Sequence, residues 1–277
     1  MTGTVFAAVL FAAFLHASWN AWVKSGEDRF ASILRLSVGQ SVIASLLVPF
    51  FGTPWAAWPW IVGSAILHTG YKIFLINAYE RGDLSQVYPL ARGTAPLIVA
   101  VAGAVFLAEI PPPLRLAAVA AIGLGILLMA AGSRERRLTG TALLLALGTA
   151  AWTASYTMVD GLGARSSDNA SGFILASIAL DGLMMAGYGL VARGRTSLGA
   201  VLPGWREGLL AGGVSMGSYW IAVWAFTQAP LALVSALRET SVLFAMLIAA
   251  FLLKEKVAPP RWAAAGLILL GIALMRA

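Results

Sequence analysis

Three polar residues interrupt the apolar opening of the chain at steps of four. They are His16, Asn20 and Lys24 in HASWNAWVK, with Trp19 and Trp22 between them. Positions i, i+4 and i+8 share one face of a helix, so the three make a stripe. The pattern recurs. His68 and Lys72 are four apart, with Tyr71, Asn77 and Tyr79 nearby; Tyr88 and Arg92 keep the spacing, and so do Trp152, Tyr156 and Asp160. Then come Ser177 and Asp181, Ser215, Tyr219, Trp220 and Trp224, and finally Arg238 beside Glu239.

These residue types bind rather than cut. Lys72 or Arg92 would hold a carboxylate, while ring faces contact an apolar body and attract an ammonium group. Trp19, Trp152 and Trp220 read as cavity rings; Trp55, Trp58, Trp60, Trp205 and Trp262 read as interfacial anchors. His16, His68, Asp181 or Glu239 would exchange protons. Arg35, Lys72, Arg92 and Arg238 are expected at depth against Asp181 and Glu239, so the balance reads positive. Arg35 and Asp181 sit in equivalent helices and read as a structural pair or as interfacial. Neither HxxxN nor HxxxK is H-E-x-x-H, and no carboxylate cluster supports a metal. There is no cysteine and no phosphate-binding loop, so no cofactor is expected and an ATP-driven pump is excluded.

The elements carrying these residues are membrane spans. The 277 residues are 60% hydrophobic and 11% charged, with a mean hydropathy of +0.84. A soluble domain carries about 25% charged residues. About 20 apolar residues span a bilayer, and the sequence predicts ten such helices. They run roughly 3–23, 31–51, 57–79, 84–107, 114–132, 139–159, 170–191, 206–227, 231–252 and 260–276. The breaks are SGEDR, GTPWAAWP, ERGD, EIPPP, SRERR, GLGARSSDN, RGRTS, QAP and KEKVAPP. The first apolar run outlasts a signal peptide and lacks a basic start, so it reads as a span. Spacings Gly208–Gly212 and Gly213–Gly217 permit close helix contact.

Basic residues fall on one side. Lys24, Arg29, Arg81, Arg134, Arg136, Arg137, Arg193, Arg195, Arg206, Lys254, Lys256 and Arg261 face Arg115, Arg165 and Arg276 across the membrane. The larger set marks the cytoplasm, so both termini are expected outside it. The net charge of +7 is then a loop property, and no nucleic-acid partner is expected.

The chain also repeats itself. The stretch beginning AYERGDLSQVYPLARG at Ala78 matches AFTQAPLALVSALRET at Ala225, an offset of 147 that falls to 146 after one gap. Leu84, Val87 and Leu90 match Leu231, Val234 and Leu237; Glu109 matches Glu255, and Arg115 matches Arg261. Lys72 pairs by offset with Tyr219, and Arg92 with Glu239, which places the last two opposite each other. ASWNA at 17–21 matches AAWTA at 150–154, setting Thr149 and Thr153 against His16 and Asn20. Each repeat, 1–137 and 138–277, holds five helices. An odd number inverts the second copy, a hallmark of secondary transporters with a site near the midplane.

HASWNAWVK, the fourth-helix prolines Pro89 and Pro96, and the helix ends FLAEIPPPLR and FLLKEKVAPPRW carry a resemblance over the whole chain. With the Gly-containing helices GLGILLMAAG and GLILLGIALM, they resemble the drug/metabolite transporter superfamily in its ten-helix EamA branch. The resemblance is nearest to bacterial aromatic amino-acid exporters. It implies an all-α integral membrane protein, a basket-like bundle of two inverted five-helix repeats around a central cavity. It implies export of amino acids or related small metabolites across the bacterial inner membrane; a ten-helix, two-repeat layout can be complete as a monomer. Phosphonate-type or other anionic metabolites are the alternative cargo. A membrane-embedded enzyme is the competing class, disfavoured by the missing metal and catalytic motifs. A lipophilic-cation exporter would want a first-helix carboxylate where this chain has His16 and Lys24. A channel would need no inverted halves.

Overall fold

The computed structural model describes residues 1–24, 28–81, 84–131, 139–252, 254 and 257–276. Apolar sequence in lipid must satisfy its backbone internally, and here it does so as helices. They are α1 (Gly3–Lys24), α2 (Arg29–Phe51), α3 (Trp58–Arg81), α4 (Leu84–Leu107), α5 (Pro113–Ala131), α6 (Gly140–Ser166), α7 (Ala170–Arg193), a short α8 (Thr196–Val201), α9 (Trp205–Phe226), α10 (Leu231–Glu239), α11 (Ser241–Leu247) and α12 (Pro259–Arg276). Side chains cap several starts: Thr2 accepts from the Val5 amide, Asp28 from Ala31, Thr139 from Ala142 and Asn169 from Gly172.

Eight of these stretches are long and apolar enough to cross a bilayer, and Pro113–Met129 is a shorter apolar helix. The stretch Leu231–Phe251 is 78% buried, against 33–44% for the other seven. It is therefore the enclosed helix of the bundle, while the others show one side to lipid.

Two expectations need correcting. The sixth helix does not stop at 159 but runs to Ser166. Gly161 and Gly163, which read as a loop, are packing points: Leu231 lies against the first, Phe173 and Trp60 against the second. Trp60 is thereby a packing residue, whereas Trp55 and Trp58 are exposed as expected of anchors. The ninth helix is not continuous. It breaks at Thr240, whose hydroxyl and amide both bond the Leu237 carbonyl, and it closes with a π turn, Ile248–Leu252. The expected breaks at SGEDR, ERGD, SRERR and KEKVAPP lie wholly or partly outside the described residues. So do Arg134, Arg136, Arg137, Glu255 and Lys256, the 137/138 boundary and the side chains of Trp22 and Lys24.

The inverted repeat is visible in contacts between equivalent residues. In the pair α5–α12, Gly125 faces Ala264 and Ile268, while Gly271 faces Ala118 and Ile122. Every one of these residues has its 146-residue mate in the reciprocal contact, and the two helices run antiparallel. Arg92 of α4 and Glu239 of α10 meet across the same axis, Nη1 to Oε1 at 3.1 Å, as their equivalence requires. In α2 and α7 the N-caps Asp28 and Asn169 are 141 apart, and Gln40 bonds its mate Asp181. Among the described residues, the two non-glycine residues with positive φ are Ala108 at 52° and Lys254 at 55°. They too are mates, so both repeats bend the chain alike after the fourth helix.

Glycine also sets the packing of α2 on α9, which run parallel. A Cβ on Gly39 would lie 2.1 Å from the Gly208 carbonyl oxygen, and one on Gly212 would lie 2.5 Å from the Gln40 amide. The spacing Gly208–Gly212 is thus a contact ridge, whereas Gly217 has open space beside it. Gly39→Ala is expected to push the helices apart and cost about 1–3 kcal/mol, the scale of overpacking. Thermal unfolding of purified protein measures this, and an unchanged midpoint would refute it.

Candidate functional site

Helices α1, α2, α3, α6, α7, α9 and α10 surround a cavity of about 90 Å³. That is several times the roughly 10–15 Å³ a single buried water needs. The lining runs from mid-bundle toward the end that carries Arg29, Arg81 and Arg193, through Trp19, Ile33, Leu36 and Leu75.

The opposite end is closed by a clamp. Arg165, at the end of α6, bonds the carboxylate of Glu109 and donates to the carbonyls of Phe226 at 2.7 Å and Ala229 at 2.9 Å. Glu109 also accepts from the Leu231 amide at 2.9 Å, capping α10. One ion pair therefore ties the α4–α5 connection to the α9–α10 turn, repeat to repeat. At the Arg29 end the pair Arg193–Asp28, at 2.6 Å, is exposed. Partial burial raises the Asp28 carboxyl, but the Ala31 amide and Arg193 outweigh this and hold it below the usual range.

Three polar clusters meet at the cavity. In the first, Lys72 Nζ reaches Asp181 Oδ2 at 2.5 Å and donates to Ser37 at 2.9 Å. Asp181 also accepts from Thr69 at 3.0 Å and Gln40 at 3.3 Å. In the second, His68 Nε2 meets Asp160 Oδ2 at 2.9 Å, and Ser64 donates to Asp160 Oδ1 at 2.5 Å. The His68 ring stacks on Tyr156 at 4.1 Å and meets Tyr219 edge-on at 5.1 Å; Tyr71 is edge-on to Tyr156 at 5.5 Å. In the third, Arg92 bonds Glu239 and His16 Nε2, while Arg238 donates to the Tyr156 hydroxyl at 2.9 Å. A guanidinium has no acceptor, so His16 Nε2 accepts from Arg92 and its ring proton sits on Nδ1.

Of the residues singled out from sequence, His16, Trp19, His68, Tyr71, Lys72, Tyr156, Tyr219 and Arg238 line the cavity. Arg92 and Glu239 lie behind His16 and Arg238, with the Arg92 guanidinium over the Tyr88 ring at 5.5 Å. Four lie elsewhere. The Asn20 amide turns back to the His16 carbonyl at 2.8 Å. Tyr79 sits under Arg29 near the end of α3. Trp152 covers Gly70, where a Cβ would lie 2.6 Å from the ring, and it also packs on Phe74. Trp220 is edge-on to Phe51 at 5.3 Å. Thr149 bonds its own helix at Leu145. Arg35 is not a deep cation: its side chain lies against Gly204, in the turn before α9.

Several site residues were not singled out. Among them, Gln40 and Ser218 line the cavity beside Ser177, Asp181 and Ser215, residues the sequence did single out, as it did Asp160, which is fully buried behind the lining. Gln40 had a signal, its 141-residue offset from Asp181 once the caps are aligned. Asp160 alters the charge balance. Lys72, Arg92 and Arg238 are matched by Asp160, Asp181 and Glu239, all buried, so the expected positive excess disappears. Trp19 Nε1 and Ser177 Oγ are buried donors in the lining with no partner among the described residues, while the Tyr219 hydroxyl lies against Ser64 and Asp160.

Seven helices thus line one cavity, and the Glu109–Arg165 pair joins the two halves at the other end of the bundle. Residues 139–277 match the model of the EamA-like transporter family. The chain belongs to the EamA-like transporter family. A solved crystal structure is similar over 100% of this chain and 99% of its own, at 17% identity and a TM-score of 0.75. That likeness concerns the fold. A search of curated proteins finds no match. As an EamA-like chain this is a multi-pass membrane transporter of small molecules, and its family is transporter-type rather than enzymatic.

Proposed function

We propose that the protein is a secondary transporter that exports amino acids or related small metabolites across the bacterial inner membrane by alternating access. The observation that carries this reading is the cavity lining. Its fixed charges are paired and balanced, yet Trp19 and Ser177 keep unpaired donors beside a cluster of rings. Unpaired buried donors cost free energy until a ligand meets them, and ring faces with few polar groups suit a small, partly apolar solute. The balance of buried charge favours a net-neutral amino acid over a phosphonate-type anion. Rings of Tyr71, Tyr156 and Tyr219 favour an aromatic or other apolar side chain.

The one-sided Lys and Arg distribution supports both termini lying in the periplasm. The cavity then reaches toward the cytoplasm while the Glu109–Arg165 clamp closes the far side, the state in which an exporter loads. The chain acts as a monomer, since both repeats and the whole cavity belong to it. The test is counterflow into proteoliposomes against a panel of radiolabelled amino acids, nucleosides and phosphonates. Saturable counterflow of at least one amino acid is expected. Flux confined to phosphonates would replace the amino-acid reading, and unsaturable flux would mean a channel.

A further inference from the structure

The three buried carboxylates are not held alike. Asp181 is bound by Lys72 and Glu239 by Arg92, side chains that carry their charge at neutral pH in water. Asp160, with 0% of its side chain exposed, pairs with His68 and takes the Ser64 hydroxyl. A carboxylate at membrane depth is costly unless its charge is met. Its partner here is the side-chain type whose charge changes near neutral pH.

Resting on the transport reading above, we infer that His68 and Asp160 form a proton-binding site that couples proton movement to transport. With Asp160 ionised, neutral His68 keeps its proton on Nε2, toward Oδ2. An incoming proton adds at Nδ1 and makes an imidazolium–carboxylate pair. The His68 side chain is 16% exposed and lines the cavity, so the proton arrives through it. His16 lacks this freedom, because its Nε2 is engaged by Arg92.

The groups facing the pair suit both states. Tyr156 of α6 offers its ring face to His68, a contact that strengthens when the imidazole is charged. Tyr219 of α9 meets the same ring edge-on, and its hydroxyl lies against Asp160 and Ser64. Arg238 of α10 is held away on the Tyr156 hydroxyl, and Lys72, on the next turn of α3, is turned to Asp181. The buried charge sums to zero with His68 neutral and to one positive with it protonated. A substrate seated on the His68, Tyr156 and Tyr219 rings and a proton on the pair use one surface. Such sharing links the two ligands through a single coupling free energy, as exchange requires.

The test uses the full chain in proteoliposomes with pyranine inside and each radiolabelled amino acid in turn. Counterflow at equal pH is compared with accumulation driven by an imposed pH difference. Asp160→Asn and His68→Gln are expected to lower driven accumulation by about tenfold or more beyond any loss of counterflow, the scale of such coupling. They also remove the pyranine signal that a substrate gradient drives in the parent. Equal loss of both activities, or driven accumulation kept in both variants, overturns the inference. A second reading needs no substrate. Infrared difference spectra of the parent between about pH 5 and 8 should carry an imidazole and carboxylate change that Asp160→Asn removes. If no amino acid shows counterflow, the amino-acid reading falls while the infrared change still supports the proton site. Absence of that change overturns the site whatever is transported.

Discussion

Lys72→Met stops counterflow and lowers stability by about 3–5 kcal/mol, the cost of stripping one partner from a buried ion pair. Asp181 would keep two neutral donors, Thr69 at 3.0 Å and Gln40 at 3.3 Å, and neither carries charge. With side-chain exposures of 9% and 5%, the pair is too deep for solvent to take over. Adding Asp181→Leu removes the orphaned charge, so thermal unfolding of the double variant should recover most of the loss. Its counterflow should not recover, because Lys72 is the cavity-lining cation that would hold a substrate carboxylate. A double variant that regains flux would make Lys72 a structural residue and leave Arg238 as the carboxylate ligand.

The second large effect concerns the pair on the repeat axis. Arg92→Gln and Glu239→Gln each leave one charge buried at 3% or less exposure, at a similar expected cost of about 3–5 kcal/mol. The exchange Arg92→Glu with Glu239→Arg keeps the pair and reverses it. If the halves were identical, stability would return in full. They are not. The new arginine at 239 would stand beside Arg238, whose Nε is 4.0 Å from Glu239 now, and the new glutamate at 92 would face His16 Nε2. Acceptor would then meet acceptor on one side and cation would meet cation on the other. Partial recovery, roughly half, is therefore expected, and adding Arg238→Gln should raise it. Full recovery by the exchange alone would show that His16 and Arg238 are not coupled to the pair. Glu239 Oε2 and Arg92 Nε have no partner among the described residues. The pair is thus imperfectly satisfied.

Much of the architecture follows from residue order alone. Twenty-residue apolar runs become helices in lipid because the backbone has no other way to satisfy itself. An offset that joins Arg92 to Glu239 implies their meeting, because an odd number of spans must invert the second half. The spacing Gly208–Gly212 marked a real ridge for the same kind of reason, since small residues four apart share one face. What a periodicity cannot name is the helix that a face will meet. Trp152 shares a stripe with Tyr156, yet it settles on Gly70, because a missing Cβ on α3 leaves a slot the size of an indole. Gly161 and Gly163 looked like a loop for want of the Leu231, Phe173 and Trp60 side chains that fill them. Lys72 found Asp181 and His68 found Asp160, each on another helix and about a hundred residues away. Composition and spacing thus settle that this is an all-helical membrane protein with charge inside its bundle. Which charges neutralise which, and which one is left to a histidine, depends on distances between helices, and Coulomb attraction in a low-dielectric interior varies with those distances rather than with position along the chain.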